Sequence, residues 1–66
     1  MTKYYCDGYT RGGNPGINGG YSIVDENGKL IVHEVINREI TNNEAEILGI
    51  WDSLLRCDKG DIISTR

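Results

Sequence analysis

The chain has 66 residues, 38% of them hydrophobic and 26% charged, with ten acids against seven Lys and Arg and a net charge of −3. That size allows one domain, and the balance excludes a disordered tail, a span of about 20 apolar residues, and duplex binding by bulk positive charge. A chain this short buries only about 60% of the surface it exposes when unfolded, and its two cysteines, Cys6 and Cys57, show no zinc spacing.

Lys3 to Thr10 alternates and reads as a strand, with Tyr5, Asp7 and Tyr9 on one face and Tyr4, Cys6 and Gly8 on the other. Gly12-Gly13-Asn14-Pro15-Gly16 is a dense breaker cluster and predicts a loop. Tyr21 to Asp25 predicts a second strand, Asn27-Gly28 a tight hairpin turn, and Lys29 to Asn37 a third strand. Short turns between them predict an antiparallel meander. The period changes at Thr41-Asn42-Asn43-Glu44, a capping box in which Thr41 takes the Glu44 amide and Glu44 reaches back. Ala45, Ile47, Leu48, Ile50, Trp51, Leu54 and Leu55 then mark a helix of about four turns. Their spread over more than one face predicts burial on both sides, with Trp51 and Leu54 in the core or at an interface. Gly60 is the expected helix stop. Asp61 to Thr65 opens a fourth strand, parallel to the first through a right-handed crossover. The N-terminus lacks a long apolar leader, so the expected compartment is the cytoplasm, with reduced thiols and no membrane.

Asp7 stands in an otherwise apolar and aromatic strand. It reads as an edge-strand acid or as a metal ligand whose neighbour, Gly8, admits another backbone closely. Glu46 suits the helix dipole of the first turns, yet it also falls on a row with Asn42, Asn43 and Gly49, facing inward. Two inward carboxylates repel unless a divalent cation sits between them. Asn14 serves turn chemistry or ligand contact, and Asn42 helix start or contact. His33 reads as a solvent-facing or hydrogen-bonded residue, Cys6 and Cys57 as small buried hydrophobes, and Arg11 as a solvated loop charge or a phosphate contact.

The order Asp7-Gly8, Asn14-Pro15-Gly16, Gly19-Gly20-Tyr21 and Thr41-Asn42-Asn43-Glu44-Ala45-Glu46 resembles the N-terminal part of ribonuclease H type 1 domains. The resemblance spans nearly the whole chain but about half of that domain. It implies an α/β, ribonuclease H-like fold, here an incomplete domain over residues 1–66: a three-stranded meander, a helix, and a fourth strand parallel to the first. The implied activity is endonucleolytic hydrolysis of the RNA strand of RNA–DNA hybrids, leaving 5′-phosphates. Asp7 and Glu46 match the first two catalytic carboxylates, and with Gly8 they mark the site of two Mg²⁺ (or Mn²⁺) ions. Such ions activate the attacking water and stabilise the leaving 3′-oxygen. Gly8, Asn14, Thr41, Asn42 and Asn43 match substrate-contact positions, where amides suit 2′-hydroxyls and base edges without reading sequence.

Two departures stand out. The loop from Gly8 to Asn14 is one residue longer than is usual in the family, with Tyr9 where a small residue is common. Arg66 follows Ser64-Thr65 where the family carries its third carboxylate. The expectation is therefore a chain inert by itself, completed by the C-terminal half of the domain in cis or trans, or by a strand-exchanged copy. The competing expectations are a degenerate, non-catalytic binding module and an assembly fragment whose open sheet edge drives oligomerisation.

Overall fold

Alternating, β-branched and aromatic residues form three strands in the computed structural model, which describes residues 2–65: β1 (Lys3–Arg11), β2 (Asn18–Asp25) and β3 (Leu30–Ile36). Helix α1 (Asn42–Arg56) and strand β4 (Ile62–Thr65) follow. The sheet order is β3-β2-β1-β4, with β1 antiparallel to β2 and parallel to β4, so the meander and the crossover strand are both present. β2 starts three residues before the expected Tyr21, because Gly19 and Gly20 pair with Thr10 and Tyr9 and carry the ladder into the loop. The hairpin between β2 and β3 is held by Asp25, whose carboxylate accepts from the Asn27 and Lys29 amides, both at 2.9 Å.

The helix packs on the face of β1 that carries Cys6 and Gly8. Gly49 is the reason it comes close. A Cβ there would lie 3.2 Å from the Tyr21 Cβ and 3.7 Å from the Cys6 Cβ. The buried apolar core is small: Cys6, Ile23, Ile40 and Ala45, with the Ser53 hydroxyl donating to the Gly49 carbonyl at 2.8 Å. The Tyr21 hydroxyl donates to Asp52, which also pairs with Arg56, and so fastens β2 to the middle of α1.

Four local expectations are corrected. Thr41 does cap the helix by accepting from the Glu44 amide at 3.1 Å, but the Glu44 carboxylate pairs with Arg38 and does not reach back. The helix ends before Gly60: Cys57 is the C-cap with extended backbone (φ −84°, ψ 155°), and Gly60, at φ +92°, serves the turn before β4. Cys57 is half-buried at that cap, whereas Cys6 is fully buried. Trp51 and Leu54 are not core: they are 65% and 56% exposed, and Ile47 and Leu55 beside them are exposed too. One side of α1 meets the sheet, and the other is bare among the described residues. No helix among these residues is long and apolar enough to cross a membrane.

Candidate metal and nucleic-acid site

Gly8 decides where the start of α1 lies. A Cβ at this position would fall 2.5 Å from the Glu46 amide nitrogen and 2.7 Å from the Ala45 carbonyl carbon. The missing side chain is therefore the space that lets the helix backbone lie directly on β1. Asp7 is the preceding residue and is exposed; Glu46 is half-buried in the first turns of α1. The pleat turns Asp7 away from the helix-packed face that Cys6 and Gly8 occupy. β4 ends at Thr65 opposite Cys6, so its described pairing stops one residue short of Asp7.

Both carboxylates act on the same buried group. Burial pushes the Cys6 thiol up, the Ser53 hydroxyl pulls it the other way, and the charges of Asp7 and Glu46 each push it further up. The thiol thus stays protonated at neutral pH, which fits a packing role and not a nucleophilic one. Asp7, on the exposed face of β1, and Glu46, in the first turns of α1, flank the close contact of Gly8 with the helix backbone from two elements. Mg²⁺ is commonly held by one or two carboxylates, with water and substrate phosphates completing its shell. Carboxylate oxygens such as those of Asp7 and Glu46 are the donor type such an ion takes. Among the described residues, no group of three or more His, Cys, Asp or Glu is gathered as a metal site.

The substrate-contact candidates divide into two groups. Asn14 and Asn42 meet: the Asn14 side-chain oxygen accepts from the Asn42 amide at 3.0 Å. The loop before it is tied down by the paired bonds between Gly16 and Ile40, at 2.8 and 3.1 Å. Thr10, which the motifs do not mark, completes this contact; its hydroxyl lies 2.6 Å from the Gly13 carbonyl and 3.1 Å from the Asn42 side-chain oxygen. One hydroxyl proton cannot serve both, and turning the Asn42 amide so that its NH₂ donates to Thr10 satisfies both groups. Asn14 and Asn42 thereby combine loop and helix-start chemistry with exposure. Thr41 and Asn43 are exposed on the same helix start, with Thr41 engaged as the cap.

His33 is exposed, with its Nε2 2.9 Å from the Tyr9 hydroxyl. The Arg11 guanidinium lies over the Tyr9 ring, 6.0 Å from its centroid. Arg66 and the expectation attached to it lie outside the described residues. Comparison with known proteins gives no match: no protein-family model, no curated protein and no solved structure matches the chain significantly.

Proposed function

We infer that the chain is the metal-binding and substrate-positioning part of a ribonuclease H-like nuclease, directed at the RNA strand of RNA–DNA hybrids. The observation that carries the reading is the convergence at the start of α1, which Gly8 meets at Ala45 and Glu46 and Asn14 meets at Asn42. Three motifs scattered over some 40 residues of sequence, Asp7-Gly8, Asn14-Pro15-Gly16 and Thr41-Asn42-Asn43 with Glu46, come to one end of one sheet. Asp7 and Glu46 would hold Mg²⁺ or Mn²⁺, which supplies water activation and stabilises the departing 3′-oxygen when bound. Gly8, Asn14, Thr41, Asn42 and Asn43 would lie along the substrate, the amides meeting 2′-hydroxyls and base edges.

Two carboxylates are too few to hold two ions against their charge, so the chain by itself is inert. A second polypeptide segment supplies the remaining acids and covers Ile47, Trp51 and Leu55. The expected result is hybrid binding that needs Mn²⁺ or Mg²⁺, prefers the hybrid to duplex DNA, and leaves the hybrid uncut by the chain alone. Metal-independent binding with no preference for the hybrid would contradict the substrate assignment. Cleavage by the purified chain would contradict the requirement for further acids. The second reading, a non-catalytic binding module, is favoured by the long loop with Tyr9 beside Asp7. It predicts hybrid binding that survives chelation of metal.

A further inference from the structure

At the Asn14–Asn42 contact one hydroxyl proton, that of Thr10, faces two oxygens. Thr10 stands on the helix side of β1 with Cys6 and Gly8, and its hydroxyl meets the loop and the helix start together. The close approach of Gly16, where a Cβ would fall 2.8 Å from the Thr10 Cβ, seats this residue against the loop. Gly12 and Gly13, both at positive φ (81° and 127°), turn the chain after β1, and the Gly13 carbonyl lies 2.6 Å from the hydroxyl. Two oxygens at that distance without a proton between them repel, so the Thr10 proton belongs to Gly13. Towards Asn42, 3.1 Å away, Thr10 has only lone pairs left. The Asn42 amide therefore turns its NH₂ inward to Thr10 and its carbonyl oxygen outward.

Asn14 has the opposite polarity. Its side-chain oxygen accepts from the Asn42 backbone amide at 3.0 Å, which leaves its NH₂ for a ligand. Both residues are exposed. The contact thus presents one acceptor, on Asn42, and one donor, on Asn14.

We propose that Thr10 is a positioning residue: it fixes the outward polarity of Asn42, so that Asn42 and Asn14 together take a hydroxyl group. A hydroxyl donates to the Asn42 oxygen and accepts from the Asn14 NH₂. A phosphate only accepts and can use Asn14 alone; an ammonium only donates and can use Asn42 alone. The source of the hydroxyl, a ribose 2′-OH, rests on the nuclease reading, and it is the group that separates an RNA strand from a DNA strand. The polarity itself does not rest on that reading. Thr10 and Asp7 lie on opposite faces of β1, so the effect of Thr10 needs no change at a carboxylate.

The test has two readouts on the full chain and its Thr10→Val and Thr10→Ser variants. Valine keeps the β-branched shape and removes the hydroxyl, whereas serine keeps the hydroxyl. In a nitrogen–proton correlation spectrum, one Asn42 side-chain NH₂ proton is expected downfield of the solvent-bonded range. It moves upfield in Thr10→Val and stays in Thr10→Ser. The second readout is anisotropy in Mg²⁺ with a labelled RNA–DNA hybrid and the same sequence as duplex DNA. Thr10→Val reduces the hybrid's advantage about fivefold, the scale of one hydrogen bond, and leaves DNA binding unchanged; Thr10→Ser retains the advantage. An Asn42 NH₂ indifferent to Thr10→Val would overturn the proposal, as would a hybrid preference that survives it, and either result leaves the nuclease reading standing. A wild-type chain with no preference for the hybrid would overturn the ribose hydroxyl together with that reading, and the Asn42 resonance would still decide the polarity. If Thr10→Val fails to fold, the wild-type resonance decides alone: an Asn42 NH₂ within the solvent-bonded range overturns the role of Thr10.

Discussion

At Gly8, a single methyl group would occupy the space filled by the Glu46 amide and the Ala45 carbonyl carbon, and both of those atoms are backbone. Neither can rotate aside, so Gly8→Ala must push the start of α1 off the sheet. We expect a loss of about 3 kcal/mol, the upper part of the usual overpacking range, read by urea denaturation. Any Mn²⁺ binding should fall with it, because Glu46 moves with the helix. Tyr21 acts at the other end of the contact. Burial, the hydrogen bond to Asp52 and that residue's charge push the phenol up to about 12, while burial of Asp52 is outweighed by hydrogen bonds from Tyr21 and Arg56 that hold its carboxyl below the usual range. The signs follow directly. The phenol's contribution to stability is complete below about pH 10 and is lost as the pH rises towards 12; that of Asp52 is complete above about pH 4 and is lost as the pH falls below it. Tyr21→Phe should cost about 2 kcal/mol at neutral pH. It should also flatten the alkaline arm of the stability profile, measured by denaturation at a series of pH values.

At the scale of elements, what could be read in the sequence was what neighbours in sequence decide. The strand alternation in Lys3 to Thr10 and the cap at Thr41 needed no tertiary contact to be legible, and both are present. The ion pair of Glu44 with Arg38 was hidden because Arg38 stands in an irregular segment with no period to place it. The bond from Tyr21 to Asp52 links residues 31 positions apart, beyond any local signal. Trp51 and Leu54 lie outside the core for a different reason: apolar content shows that a helix side wants cover, not which side receives it within the described residues. Two variants separate the helix's own stability from its packing. Thr41→Ala should cost about 1 kcal/mol, the worth of an N-cap. Trp51→Gln should change stability by no more than about 0.5 kcal/mol, as exposed positions do. Both can be read from thermal or urea unfolding followed by circular dichroism.

At the scale of the molecule, the described chain is a slab of 36 × 19 × 16 Å with a radius of gyration of 11.9 Å. A rounder protein of this length would have about 10.8 Å. The difference reflects the elongated arrangement of one sheet with one helix along one face. The slab brings Asp7-Gly8, the Asn14 loop and the helix start to one end while leaving the helix's outer side and the second sheet face open. The proposed function requires that Asp7 and Glu46 share a cation. The most direct test is Mn²⁺ titration, followed by electron paramagnetic resonance, of the chain and its Asp7→Asn, Glu46→Gln and double variants. A shared ion predicts that either single substitution removes most of the binding and that the double adds little further, a strongly non-additive cycle. Binding that is unchanged in both single variants, or that falls additively as from two independent weak sites, would contradict it.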